Sequence, residues 1–211
     1  LKNRIKEVIR GEPMKATLQE RFLAYIIEVM LLSIILSIIS STSINSSNYS
    51  KLLEEQENLI SKYSKQEITI AEYQSQAKKL DYEIAKSSYP STIIGLVMSI
   101  AYFIIFQFFN GGQTIGKKLM KIRIRKQDNG ILKIQDIIIR TLIINSIITT
   151  IVTLIAVLTV NSESYYIIRT VISTAETLFV LVSSFMILYR KDKLGLQDLM
   201  THTEVVKEGN W

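Results

Sequence analysis

The chain has 211 residues, 48% hydrophobic and 21% charged, with 25 Lys and Arg against 19 Asp and Glu for a formal net charge of +6. Cysteine is absent and His202 is the one histidine, which excludes disulfides, thiolate metal sites and histidine clusters. The basic balance needs no nucleic acid, because the charges flank long apolar stretches as juxtamembrane charge facing an anionic leaflet does.

Residues 1–21 are a basic segment carrying Lys2, Arg4, Lys6, Arg10, Lys15 and Arg21. The first apolar stretch follows at 22–41, and others lie at 91–109, 137–160 and 167–189. A helix needs about 20 residues to cross the hydrocarbon core. Soluble helices of that length carry a broad polar face; these carry isolated Ser, Thr and Asn. The first stretch is too long for a signal peptide and lacks a small-x-small cleavage site. Lys and Arg cluster before the first span, between the second and third, and after the fourth, while 161–166 has none. The positive-inside rule then places both termini in the cytoplasm.

Residues 42–90 form a polar insert that this topology puts outside. Residues 42–50 are rich in Ser, Thr and Asn and read as a loop. From Leu52 a heptad runs through Gln56, Leu59, Tyr63, Gln66, Ile70, Tyr73, Ala77, Leu80 and Ile84. One unbroken helix of that length would carry the chain about 50 Å away. Thr69 followed by Glu72 matches a capping box. The expectation is a hairpin, 49–64 and 70–87, turning at 65–69. Its arms either pack only on each other or offer residues 49–87 to a protein partner or a second copy.

Between the second and third spans, residues 110–136, Gly111 to Lys117 matches G-x4-G-K. Lys118 stands where a magnesium-binding Ser or Thr belongs, and neither a preceding strand nor a Walker B Asp is present. The stretch Gly112, Thr114, Gly116, Lys117 and Lys118 therefore reads as a turn of close backbone approach whose lysines meet lipid phosphates. Residues 120–126 alternate apolar and basic, and Asp128-Asn129-Gly130 is a turn signal before Ile131-Leu132-Lys133-Ile134. That pattern predicts a local β-ribbon, which either only covers the bundle's inner end or lies at the membrane surface over anionic lipid.

Ionisable residues inside spans are costly and turn toward the bundle interior. Glu28 in the first span and Glu176 in the fourth are the candidate proton or cation carboxylates; the other reading is buried polar residues that only specify helix packing. Ser173, Glu176, Thr177 and Ser184 share one side of the fourth span, opposite a stripe of Asn145, Thr149, Thr153 and Ala156 on the third. No broken helix or inverted repeat is evident in the pattern. Arg140 and Arg169 lie near span ends, where each snorkels or pairs with a carboxylate. Asp198, in the tail 190–211, is placed to bind Arg21 or Arg140 as an inner gate or charge network.

These residues also carry a family resemblance. Arg21-Phe22-Leu23-Ala24-Tyr25-Ile26-Ile27-Glu28 resembles the opening of RDD-family membrane proteins, in which an Arg is followed seven residues later by an Asp. Gly112-Gln113-Thr114-Ile115-Gly116-Lys117 is similar to the family's G-x-T-x-G-K turn. Asp128-Asn129-Gly130 and Arg140 fit the family's second turn and the Arg after it. Residues 197–206 resemble its terminal Asp-x4-Thr-x-Val segment. Glu28 replaces the family's Asp, and Gln197 stands where a His often precedes Asp198. The resemblance implies the membrane core and topology, and an association with monovalent cation/proton exchange and transport generally.

The expected fold is an all-α integral membrane protein of the bacterial cytoplasmic membrane. It has four transmembrane helices, both termini cytoplasmic, an outer helical hairpin between helices 1 and 2, and a short cytoplasmic β-ribbon between helices 2 and 3. No cofactor or metal is expected, and no nucleophile–base pair points to an enzyme. The leading expectation is small-solute transport, such as monovalent cation/proton exchange. The alternative is a non-transporting scaffold or accessory subunit that binds a partner through the hairpin.

Overall fold

The computed structural model describes residues 14–43 and 46–208; the basic residues Lys2, Arg4, Lys6 and Arg10 lie outside them. In chain order the elements are α1 (Leu18–Ser43), α2 (Ser46–Ser64), α3 (Ile70–Ser87), α4 (Tyr89–Phe109), α5 (Ile115–Leu119), β1 (Ile122–Lys126), α6 (Ile134–Ile144), α7 (Ile147–Thr159), α8 (Ser162–Tyr189), α9 (Leu196–Thr201) and β2 (Thr203–Lys207). The fold is mostly helical with one two-stranded sheet. Three helices, α1, α4 and α8, are long and apolar enough to cross a membrane, and α6 with α7 makes a fourth if the broken pair counts as one span. Their large apolar side chains stay uncovered, among them Phe22, Met30, Ile38, Val97, Ile155, Leu158, Val171 and Phe185. A water-soluble fold would bury such residues; hydrocarbon solvates them instead.

The chain divides into two compact units. Of the described residues, one comprises those within 14–34, 98–147 and 176–208. The other comprises Ile35–Val97 and Ile148–Ala175.

The second unit holds the polar insert. Thr69 caps α3 through both capping-box bonds: the Glu72 amide donates to its hydroxyl, and its own amide donates to Glu72 Oε2 at 2.8 Å. Gln66 turns the chain at φ 60°, and Tyr63 stacks on Tyr73 across the arms at 4.8 Å between ring centroids. Helix α2 begins at Ser46, so Ser46–Ser50, expected as loop, are helical. Arm α3 also packs on the α7–α8 corner. The Tyr82 hydroxyl donates to the Val157 and Val160 carbonyls at 3.1 Å, and its ring meets Tyr165 edge-on in a cluster with Ala156 and Val157.

The first unit contains the sheet, and here the local ribbon is corrected. Strand β1 forms where alternation predicted it, but its partner is β2 from the tail, antiparallel, with Ile124 opposite Val205 and Arg125 opposite Glu204. The Asp128-Asn129-Gly130 turn exists, with Asn129 at φ 59° and the Gly130 amide donating to Asp128 Oδ1. It leads into coil, leaving Ile131 87% exposed, and then into α6. The physical reason is complementarity at a distance. Val205 completes an apolar cluster with Ala16, Ala24, Ile122 and Ile124, and Glu204 neutralises Arg125 across the ladder at 2.7 Å. Residues 131–134 offer no acidic partner for that basic strand.

The pairing is directly testable because the chain lacks cysteine. Residues directly opposite in an antiparallel pair have Cβ atoms about 5 Å apart. Arg123→Cys with Val206→Cys should cross-link on mild oxidation, read as a mobility shift, whereas Arg123→Cys with Lys133→Cys should not.

Candidate functional site

The site is built on one stripe of α1. Thr17 caps this helix by the same reciprocal device as Thr69: its amide donates to Glu20 Oε2 at 2.9 Å, and the Glu20 amide donates back to its hydroxyl at 3.4 Å. With the first turn set, Arg21, Ala24 and Glu28 fall on one face, since steps of three and four residues return to the same side. Each meets a different distant segment.

Arg21 meets the tail. Its Nη1 donates to Asp198 Oδ2 at 2.6 Å and its Nη2 to the Lys193 carbonyl at 2.9 Å. Arg140, from α6, donates to Asp198 Oδ1 and to the Thr203 hydroxyl. Asp198 is fully buried and also accepts the Gly195 amide at 2.9 Å. Burial pushes its carboxyl pKa up, but Arg140 and Arg21 outweigh that and hold it below the usual value of 3.8. Neither arginine Nε has an acceptor, so two buried guanidiniums converge on one carboxylate. Gln197, in place of the His, accepts a hydrogen bond from Ser183. A Cβ on Gly195 would strike that Ser183 hydroxyl.

Ala24 and Glu28 meet the G-x-T-x-G-K turn, and each motif residue has an identifiable task. Gly112 lies at φ 84°, its carbonyl taking the Ile124 amide of β1 at 3.2 Å. Gly116 crosses α1 so closely that a Cβ would collide with the Ala24 carbonyl oxygen and come within 2.8 Å of Glu28 Cγ. Thr114, fully buried, donates its hydroxyl proton to Glu28 Oε1. Lys117 Nζ lies 3.6 Å from the same oxygen and 3.3 Å from the Thr114 hydroxyl. This corrects the expectation that Lys117 meets lipid phosphate: it turns inward onto a buried carboxylate, and Lys118 alone of the two is exposed. Burial pushes the Lys117 pKa down, and Glu28 opposes the shift without cancelling it. A lysine and a carboxylate thus share one poorly solvated place.

Glu176 is not part of this arrangement. Its Oε1 accepts from the Ser146 hydroxyl at 2.5 Å. Ser146, at φ 54°, stands with Asn145 in the break between α6 and α7. The apolar stretch expected as the third span is therefore two helices, bent by 64° at this break, and not the continuous helix of the sequence pattern. Asn145 lies outside α7, so the expected stripe with Thr149, Thr153 and Ala156 is not one continuous helical face. Helix α4 also departs from α geometry: Ala101–Phe106 is π-helical, and the freed Phe103 carbonyl takes the Thr141 hydroxyl at 3.2 Å. Arg169 pairs with Asp81 in the other unit. Among the described residues, no group of three or more acidic or histidine side chains is placed to hold a metal ion.

Sequence reading gave Ala24 no role and missed Ser183; it met Thr203 only as the Thr of the terminal Asp-x4-Thr-x-Val segment. Small or hydroxylated residues at helical spacing from a flagged charge were the available signal for Ala24. The motif marked Thr203 but not its partner Arg140, 63 residues away, and Ser183 carried no signal.

A helical chain with three, or up to four, exposed apolar helices long enough to cross a membrane is a membrane protein. The RDD family model matches residues 15–202, and the chain belongs to the RDD family. No curated protein and no solved structure matches it.

Two variants probe the site. Asp198→Asn leaves both arginines unneutralised and should cost about 3–5 kcal/mol, read as a lowered midpoint of thermal unfolding in detergent. A depressed carboxyl pKa contributes stability above its unfolded value and loses it as pH falls through the folded one. The gap between wild type and Asp198→Asn should therefore hold from pH 8 to pH 4 and close only below about 3.8. Gly116→Ala should destabilise by about 1–3 kcal/mol through overpacking against α1, in the same assay.

Proposed function

We propose that this RDD-family protein moves a small solute across the bacterial cytoplasmic membrane, most simply a monovalent cation exchanged for protons. The observation carrying this reading is Glu176 beside the broken third span. A break within the apolar layer frees backbone groups that only protein or water can satisfy. Broken helices beside a carboxylate suit a cation that must exchange its hydration shell for protein oxygens. Glu28, with Thr114 and Lys117, supplies a second titrating position, and Asp198 with Arg21 and Arg140 closes the cytoplasmic end. Both termini and the sheet face the cytoplasm, by the positive-inside rule. There Lys118, Lys121 and Arg123 lie beside exposed Ile115, Leu119 and Ile131 and meet anionic lipid. The α2–α3 hairpin faces out.

A second reading rests on that hairpin. Leu53, Ile60, Tyr63 and Ile70 are uncovered on a segment outside the apolar spans, as an accessory subunit's docking face would be. A protein partner or a second copy would cover them.

The test is flux in liposomes with a trapped pH dye under sodium, potassium or lithium gradients. Wild type should show cation-dependent proton movement; Glu28→Gln and Glu176→Gln should each reduce it to background while remaining folded and inserted. Absence of flux from well-inserted wild type under all three gradients removes the exchange reading and leaves the docking one. Leu53→Ser with Ile60→Ser should leave flux intact.

A further inference from the structure

The second unit contains a cavity that neither the charge clusters nor the family match accounts for. Its volume is about 220 Å³, below the ~300–1,000 Å³ of drug-sized sites, so its occupant is small. Helix α3 contributes Asp81, Ile84 and Ala85, and α7 and α8 contribute Thr153, Leu154, Val157, Tyr165 and Arg169. Ser88 and Thr92 complete the wall.

The polar lining has a definite sense. Ser88 donates its hydroxyl proton to the Ala85 carbonyl at 3.3 Å, Thr92 to Ser88 at 2.9 Å, and Thr153 to Thr149 at 2.8 Å. With those protons committed to helix backbone, the three hydroxyls can only accept from a ligand. Asp81 adds another acceptor. Its Oδ1 takes the Arg169 guanidinium, but its Oδ2 is buried without any hydrogen-bond donor, an arrangement that costs free energy. The terminal carboxylate torsion is soft, so a donor arriving in the cavity can recruit that oxygen. Arg169 commits one Nη to Asp81 and has further N–H groups at a half-exposed side chain.

We propose that this cavity binds a small aliphatic amino acid, its ammonium group on Asp81 and the threonine hydroxyls, its carboxylate on Arg169, and its side chain against Ile84, Leu154 and Val157. The arrangement disfavours the obvious rival, a bare metal cation, because it brings no negative charge to offset its repulsion by the guanidinium in contact with Asp81, whereas a zwitterion's own carboxylate does. A zwitterion satisfies both members of the pair at once. A simple carboxylate would leave Asp81 Oδ2 unmet, and a simple amine would leave Arg169 unused. This inference stands apart from the exchange reading, since none of its residues belongs to the carboxylate sites named above.

The experiment is isothermal titration of the purified full chain in detergent with L-leucine, leucinamide, 4-methylpentanoate, and sodium or potassium chloride alone. Leucine should bind saturably, and both half-ligands should bind at least about tenfold more weakly, as loss of a charge-assisted bond implies. Asp81→Asn and Arg169→Gln should each weaken leucine by at least about tenfold. Thr92→Val and Thr153→Val keep the ion pair and should weaken it by about threefold to tenfold, which preserves the test if the charge variants do not fold. No saturable leucine binding, equal binding of leucinamide, or saturable binding of either salt alone would overturn the assignment.

Discussion

The fold of the first unit depends on one carboxylate. Asp198 has no contact with solvent and accepts from Arg21 of α1, Arg140 of α6 and the Gly195 amide of its own turn. Removing an ion from water costs several kcal/mol, and attraction offsets that only when geometry and hydrogen bonds are nearly complete. Two guanidiniums brought together without that carboxylate would repel each other in a medium that screens poorly. The tail, α1 and α6 are therefore tied by a shared electrostatic condition.

Around it, α1 acts as a common spine. Arg21 meets the tail, Ala24 presents its carbonyl to Gly116, and Glu28 takes the Thr114 hydroxyl and the Lys117 ammonium. The sheet then locks the loop to the tail, with Gln127 donating to the His202 and Thr203 carbonyls at 3.1 and 2.8 Å where β1 hands over to the turn. A Gly that permits close approach, a Thr that donates and a Lys that neutralises are each needed because α1 is near enough to touch the loop backbone. The same short motif read as a phosphate-binding loop would require its lysine to face outward.

Much of this was legible. Apolar length and flanking charge mark spans wherever they occur, because both are properties of consecutive residues. The Thr69–Glu72 cap was legible for the same reason: its two bonds lie within four residues. Asp198 was legible as a partner for Arg21 or Arg140, and Glu28 as a costly charge inside a span. The partner of β1 was not, since alternating Ile and Arg fit any strand with valines and a glutamate opposite. The break at Asn145-Ser146 was also hidden, because both residues occur in intact membrane helices.

The sequence by itself determined that this chain enters a membrane, where its polar insert lies, and which charges had to be sheltered, because hydrocarbon thickness and desolvation act on composition and local spacing. Only the tertiary structure decided how those charges are met: Asp198 with two arginines, Glu28 with Thr114 and Lys117, Glu176 with Ser146 at a broken helix, and Asp81 with Arg169 on a cavity wall. A buried charge announces that it requires a partner. Which remote residue becomes that partner depends on the packing that brings them within hydrogen-bond reach.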